Sequence, residues 1–233
     1  MRLMVLLATS AFAASAFATA AHAASVTQGF PASGFDKVMA SGSEDITIIT
    51  GKAASVTATG DPDRIARLRI GVEGTTLMID HKSSLNWRMQ AGTPVTIVIT
   101  MPVLVGVHGS GSGDIIADRG TGPAFAASAS GSGDLRIGAI DSANVTLKTS
   151  GSGDMAAAGQ CTSARVSTSG SGDIAIAGLG CRDIDVSTTG SGDVAARATG
   201  NANIRISGSG DVTITGGARC MSRTSGIGDV SCS

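Results

Sequence analysis

Ser150-Gly151-Ser152-Gly153-Asp154 is one copy of a pentapeptide that recurs along the second half of the chain. Identical copies end at Asp114, Asp134, Asp154, Asp173 and Asp211, a threonine variant ends at Asp193, and an isoleucine variant ends at Asp229. The intervals between successive aspartates are 20, 20, 19, 20, 18 and 18 residues. A period near 20 residues is a typical coil length, and seven copies exceed the three that a stacked core needs. The repeat therefore predicts a solenoid.

Apolar and polar residues alternate between the pentapeptides, which is the pattern of β-strands. The first and third residues after each aspartate are apolar or small, as at Leu135 and Ile137. A second alternating run precedes each pentapeptide, as at Ile204 and Ile206. Glycines such as Gly138 lie between the two runs and mark a second turn, whose variable length absorbs the change from 18 to 20 residues.

Two short strands and two turns per coil predict an all-β protein with the fold of a flattened parallel β-solenoid, or β-helix. Its coils would contain 18–20 residues and stack about 4.8 Å apart around small side chains. The main alternative is a left-handed helix of hexapeptides, which would place aliphatic residues at every sixth position, whereas here they alternate by two. The preferred handedness of strand crossovers favours right-handed winding.

The chain before residue 109 is less regular and predicts an N-terminal cap. Ser41-Gly42-Ser43-Glu44-Asp45 is a degenerate copy of the pentapeptide and indicates an early coil. Asp61-Pro62 is a typical helix start, leading into one or two helical turns, and strands are expected over 77–80 and 95–101. We expect residues 24–108 to hold the cap and first irregular coils, continuous with regular repeats over 109–233, because a bare stack end exposes unpaired backbone.

The N-terminus has the pattern of a secretory signal peptide. Arg2 precedes an apolar run and an alanine-rich stretch that ends in Ala21-His22-Ala23, a small-x-small cleavage pattern. We predict a signal peptide over residues 1–23 and an exported protein in the periplasm, on the outer surface or outside the cell. No later apolar run is long enough to predict a membrane span.

The composition excludes two classes of partner. Charged residues make up 15 % of the chain and the formal net charge is −1. This leaves no basic field for nucleic acid or for anionic lipid, so neither is expected as a partner.

The repeated aspartates are the strongest candidates for chemistry. Stacked at the coil spacing, neighbouring carboxylates would repel by about 1 kcal/mol in water, so something must offset the repulsion. The favoured explanation is structural, with each carboxylate accepting hydrogen bonds from backbone N–H groups of its own turn. The alternatives are a row of Ca²⁺ ions, as in calcium-binding glycine-rich repeats, and a ligand-binding serine and aspartate face. The weak metal candidates are Asp114, Asp134, Asp154, Asp173, Asp193, Asp211 and Asp229.

Four cysteines in an exported chain predict disulfides. Cys161 and Cys181 both lie twelve residues before the next repeat aspartate, so they share a column on adjacent coils, with Cα atoms about 5 Å apart. Cys220 and Cys232 fall on inward columns of the last coils and would join the C-terminal end, although they can belong to opposite sheets. The alternative is buried free thiols. Without a Cys-x-x-Cys spacing, no metal site is expected from them.

No group of residues predicts catalysis or a bound cofactor. Asp80, His81 and Lys82 are adjacent, but on a strand they would point to alternate sides and not converge. Trp87 beside Arg88 is able to stack on a sugar or peptide, although a single tryptophan more often packs against its own protein. We therefore predict no catalytic residues.

An ordered set of segments points to a known family. Phe35-Asp36-Lys37-Val38, Gly60-Asp61-Pro62-Asp63 and Pro102-Val103-Leu104, followed by the repeated Ser-Gly-Ser-Gly-Asp, resemble the bacterial family called auto-transporter adhesin, head GIN domain. The resemblance covers roughly residues 34–214. It implies an exported β-helical head and, through the family's name, adhesion. It brings no catalytic or binding residues to positions of this chain.

The sequence therefore favours an exported, non-catalytic, adhesin-like or cell-envelope interaction module. Its serine- and threonine-rich faces would meet an unknown envelope or surface ligand, either glycan or protein. One alternative is a calcium-dependent, carbohydrate-active β-helix enzyme of the lyase or hydrolase type. Another is a purely structural periplasmic protein.

Overall fold

The computed structural model describes residues 25–82 and 93–233. The predicted signal peptide over 1–23 and the Trp87-Arg88 pair lie outside these residues. The strands are β1 (Val26–Phe30), β2 (Lys37–Gly42), β3 (Asp45–Thr50), β4 (Ser55–Gly60), β5 (Leu68–Glu73), β6 (Thr76–His81), β7 (Thr96–Met101), β8 (Gly106–Gly111), β9 (Ile115–Gly131), β10 (Leu135–Gly151), β11 (Met155–Gly170), β12 (Ile174–Gly190), β13 (Val194–Ala198), β14 (Asn201–Gly208), β15 (Val212–Thr215), β16 (Arg219–Gly226) and β17 (Val230–Cys232). One helix, α1 (Pro62–Ile65), is also present.

The coils stack in parallel register, which confirms the predicted parallel β-solenoid. Leu135 pairs with Ile115 on one side and with Met155 on the other, and Val145 pairs with Phe125 and Ala164. The strand segments that precede each pentapeptide form one face, here called the front sheet, and those that follow it form the back sheet. Each pentapeptide turn therefore lies at the same edge of the molecule.

Strands β9 to β12 are longer than predicted, because each continues through the second corner. Asp141 pairs with Thr121 and Ser142 pairs with Cys161, so backbone pairing between coils persists where a turn was expected. In the next coil residues 199–200 do separate β13 from β14. In β9 to β12 the chain therefore turns at this corner while its backbone stays paired with the neighbouring coils.

The predicted inward columns form the core. Leu135, Ile137, Ile174 and Ile176 are all at most 3 % exposed, and the equivalent residues are buried in the other coils except the last, where Val230 is half-buried and Cys232 is exposed. A fully buried aliphatic side chain of this size contributes about 1.5–3 kcal/mol through removal of apolar surface from water. Because every coil repeats the same columns, this contribution recurs along the whole stack.

The N-terminal third covers one end of the stack, and its chain leaves the stack after β3 and returns to it at β8. Strands β2 and β3 form the earliest coil, which confirms the coil predicted at Asp45. The chain then leaves the stack, and β6 and β7 pair in parallel with the outer edges of β2 and β3. Strands β5, β4 and β1 add antiparallel layers beyond them. Strand β8 finally returns on the other side of β2.

Helix α1 starts where the sequence predicts it. The Asp61 carboxylate accepts hydrogen bonds from the backbone N–H groups of Asp63 and Arg64, and Pro62 occupies the first turn. The helix spans four residues, which is a single turn. Within the parts of the chain that the structure describes, no helix is long and apolar enough to cross a membrane.

Candidate functional site

The pentapeptide turn needs its two glycines for different reasons. Gly151 has a φ of 140°, a conformation that side-chain-bearing residues rarely adopt. A Cβ atom on Gly153 would overlap the backbone carbonyl oxygen of Gly133 in the preceding coil, although the φ of Gly153 is not in the left-handed region. The first glycine thus permits both the turn conformation and the close contact with Gly131, and the second permits the close contact alone.

The repeat aspartates form an unbroken hydrogen-bonded row along this edge, here called the aspartate ladder. The backbone N–H of Asp154 donates to Oδ1 of Asp134 at 3.0 Å, and the N–H of Asp173 donates to Oδ1 of Asp154 at 2.9 Å. Seven such bonds run the length of the stack, and their members are Asp45, Asp114, Asp134, Asp154, Asp173, Asp193, Asp211 and Asp229. Every carboxylate except that of Asp229 thus accepts from the next coil, whereas we expected a bond within its own turn.

The aspartate ladder explains how like charges can stack. A hydrogen bond to a charged group contributes about 1.5–3 kcal/mol. The repulsion between neighbouring carboxylates is about 1 kcal/mol in water and several-fold more near a protein surface. The backbone bonds therefore offset a large part of the repulsion along the row.

Substitutions at Asp154 separate the hydrogen bond from the charge. Asp154→Ala leaves the N–H of Asp173 without its acceptor, and we expect a loss of about 1–2 kcal/mol in the free energy of unfolding. Asp154→Asn keeps an Oδ1 acceptor, so we expect it to stay within about 0.5 kcal/mol of the parent protein. Urea unfolding of the three proteins gives the comparison. Equal losses for the two variants would show that the charge itself is required.

The described residues contain no group of three or more histidine, cysteine, aspartate or glutamate side chains placed to hold a metal ion. Along the aspartate ladder every Oδ1 except that of Asp229 already accepts a backbone N–H, so a cation would have to compete with the fold for that atom. The calcium hypothesis from the sequence stays open to direct measurement. It concerns the seven repeat aspartates, Asp114, Asp134, Asp154, Asp173, Asp193, Asp211 and Asp229.

Treatment with a chelator tests that hypothesis. We expect EDTA to leave the unfolding temperature unchanged, because the contacts that hold the aspartate ladder come from the backbone. Scanning calorimetry with EDTA, and again after addition of excess Ca²⁺, measures the effect. A cation that binds the folded state stabilises it by mass action, so a clear drop in EDTA that Ca²⁺ reverses would contradict this expectation.

Both predicted cysteine pairs form disulfides. Cys161 and Cys181 lie opposite each other on β11 and β12, with Cα atoms 4.6 Å apart, as the column argument predicts. Cys220 on β16 and Cys232 on β17 are joined with Cα atoms 6.6 Å apart. These two strands belong to opposite sheets, so the second disulfide crosses the last coil from front to back.

Asp80, His81 and Lys82 do not converge, as the strand alternation predicts. Asp80 pairs with Arg69, whose Nε donates to the carboxylate at 2.6 Å, and this bond lowers the pKa of Asp80. The Nζ of Lys82 donates to the backbone carbonyl that follows α1. His81 contacts Glu44 instead. These three residues therefore fix the cap and leave no shared centre for catalysis.

The contact between Glu44 and His81 was not foreseen from the sequence. Glu44 stands where later repeats have the second glycine, and its side chain is only 4 % exposed. Its Oε1 lies 3.1 Å from Nε2 of His81, and its Oε2 accepts the N–H of Ser43 at 3.2 Å. The departure from the repeat was visible in the sequence, but its partner lies 37 residues away. The pair joins the earliest turn to the cap.

Hydroxyl side chains run beside the aspartate ladder over several coils. One exposed column on the front sheet lies just before the turn and contains Ser130, Ser150, Ser169, Thr189 and Ser207. A second exposed column lies within the turn and contains Ser112, Ser132, Ser152, Ser171, Ser191 and Ser209. Together with the aspartates they form a hydrogen-bonding surface, here called the hydroxyl face. Its spacing is set by the coil repeat, about 4.8 Å.

Comparisons with known proteins agree with this architecture. Residues 34–218 match the family described as "Putative auto-transporter adhesin, head GIN domain". A crystal structure of a "putative adhesin" from Bacteroides fragilis aligns with a TM-score of 0.80 at 22 % identity, covering 90 % of this chain and 97 % of that one. A "putative lipid binding protein" from Parabacteroides distasonis aligns with a TM-score of 0.69 at 22 % identity, covering 90 % and 96 %. At these identities the likeness concerns the fold. None of the curated proteins matches the sequence.

Proposed function

The chain belongs to the auto-transporter adhesin head GIN domain family, and on that premise we propose that it is an exported, non-catalytic binding module that attaches to a ligand of the cell envelope or of another surface. The hydroxyl face is the surface we assign to this contact. It presents hydroxyl groups and carboxylates at a fixed spacing, on a scaffold that every coil makes rigid.

The regular hydroxyl face is the observation that carries the proposal. A periodic row of hydrogen-bonding groups offers many similar contacts along the molecule, which suits a ligand that is itself extended and repetitive. Short side chains on strands lose little conformational entropy when they are covered, which favours their use in a broad contact. An extended glycan or an extended protein segment fits such a row.

Attachment is tested with variants on the two faces. Ser150→Tyr combined with Ser169→Tyr places two bulky rings on the hydroxyl face, whereas Ala175→Tyr combined with Thr213→Tyr places them on exposed positions of the back sheet. Binding of the labelled, purified protein to cells of the producing bacterium is measured by flow cytometry. We expect the first pair to weaken binding at least tenfold and the second pair to leave it unchanged.

Three results would contradict the proposal. Equal binding by the two paired variants would remove the hydroxyl face as the contact. Cleavage of polyuronides or neutral glycans, assayed with and without Ca²⁺, would show the protein to be an enzyme. Fractionation that finds the protein in the cytoplasm would exclude an exported module.

A further inference from the structure

A surface groove lies at the second corner, away from the hydroxyl face. Its volume is about 500 Å³, and Arg182, Arg197, Gln160 and Thr199 supply its polar side chains. The remaining lining comes from the Cys161–Cys181 disulfide, Ala177 and the glycines Gly159, Gly178 and Gly180. This volume lies in the range of small-ligand sites, about 300–1,000 Å³.

A difference in coil length opens this groove. Ile176 pairs with Ala196 of the next coil, but the following pair is Gly180 with Arg197, so residues 177–179 of β12 have no partner there. Leu179 is fully buried and anchors the extra loop in the core. The glycines on either side of it carry no side chain to fill the space outside. The recess is therefore held open by the core packing of its own loop.

The groove is lined by cations and neutral polar groups. None of its lining residues is an aspartate or a glutamate. Nε of Arg182 donates to Oδ2 of Asp183 at 2.7 Å, and Oδ1 of Asp183 accepts the backbone N–H of Asn201 at 3.0 Å. This chain of bonds orients the Arg182 guanidinium and lowers the pKa of Asp183, with the bond from Arg182 as the largest cause.

Both guanidiniums retain donors for a ligand. Only the Nε of Arg182 is used by Asp183, so its terminal N–H groups stay available for a paired acceptor. In the described part of the chain Arg197 forms no ion pair. Two arginines that face one recess without a carboxylate among the lining residues suit carboxylate and sulfate groups, because each of these groups can present two oxygens to one guanidinium.

We propose that this groove binds the carboxylate or sulfate group of an acidic polysaccharide. The lining has no aromatic residue and no large aliphatic side chain to receive an apolar side chain of a peptide. Gln160 and Thr199 are suited to the hydroxyl groups of a sugar beside its acidic group. The site is separate from the hydroxyl face and does not depend on it.

Isothermal titration calorimetry with the full exported protein tests the groove. The probes are an oligogalacturonate, which carries carboxylates, a sulfated dextran and neutral dextran. We expect binding of one or both acidic probes, no binding of neutral dextran, and at least a tenfold loss in the double variant Arg182→Gln with Arg197→Gln. Arg182→Lys with Arg197→Lys keeps the charge without the paired donors and should bind with intermediate affinity.

The matched control is Arg136→Gln. Arg136 is an exposed arginine paired with a neighbouring carboxylate, Asp134, as Arg182 is paired with Asp183, but it lies on the back sheet. We expect it to bind the acidic probes as the parent protein does, and the unfolding temperatures of all variants confirm that they are folded.

The proposal is overturned if the double glutamine variant binds acidic probes as tightly as the control, or if neutral dextran binds equally well. It is also overturned if polyglutamate displaces the acidic glycans at equal concentration, because the partner would then be an acidic peptide. If the hydroxyl-face variants bind cells as well as the parent protein, only the proposed function is contradicted. Those variants leave the groove intact, so the result does not bear on the groove.

Discussion

Ile176→Asp is expected to destabilise the protein by about 5 kcal/mol or more, enough to unfold the coils around β12. Ile176 is fully buried, so the change removes about 1.5–3 kcal/mol of apolar burial. It also places a carboxylate without a partner in the core, at a further cost of several kcal/mol. Total stabilities of domains are about 5–15 kcal/mol, so the loss is comparable with the whole. Guanidinium unfolding followed by circular dichroism measures it.

The matched control is Ala175→Asp, one residue earlier on the same strand. Ala175 is exposed on the back sheet, so its new carboxylate stays in water. We expect a change within about 0.5 kcal/mol, as for surface substitutions in general. Similar losses in the free energy of unfolding for both variants would mean that the strand does not alternate between core and solvent at this point. The β-solenoid would then not describe this part of the chain correctly.

Gly151→Ala is expected to cost about 3–5 kcal/mol although it adds a single methyl group. A residue with a side chain in this conformation costs about 1–3 kcal/mol. The new Cβ would also overlap the carbonyl oxygen of Gly131, and relief of that overlap shifts backbone that is already paired between coils. Thermal and urea unfolding of the purified variant measure the loss.

Gly71→Ala provides the comparison for this prediction. Gly71 lies in β5, has no left-handed φ, and a Cβ there would meet no atom within 4 Å. Because alanine is favoured over glycine within a strand, we expect no loss and up to about 1 kcal/mol of gain. Comparable losses for the two alanine variants would show that the stacked glycine turns do not set the spacing of the coils.

The features that the sequence predicted correctly are those in which equivalent positions of adjacent repeats lie next to each other. The inward columns at Ile174 and Ile176 and the disulfide between Cys161 and Cys181 both depend on position within the repeat. A residue's partner is then the equivalent residue one period away. Such contacts need no knowledge of how distant segments meet.

Contacts that do not join equivalent positions of adjacent repeats could not be predicted from the sequence. Glu44 and His81 are 37 residues apart, and nothing in either segment specifies the other. The groove depends on how the extra loop at Leu179 packs, and the sequence shows only that the corner varies in length. The N–H group that donates to each ladder carboxylate was placed in the wrong coil, because turn chemistry alone does not distinguish the N–H of its own turn from that of the next coil.

The path of the N-terminal third, which leaves the stack and returns to it, has a consequence for folding kinetics. Coils from β9 onward contact residues about 20 positions away, so each closes a short loop. The coil of β2 and β3 instead pairs with β8, which comes much later in the chain, and Oδ1 of Asp45 accepts the backbone N–H of Asp114, 69 residues away. Loop closure over that separation slows nucleation, since the entropic cost precedes the contacts that reward it. We therefore expect folding to nucleate in the repeats, with the coil of β2 and β3 completed after them.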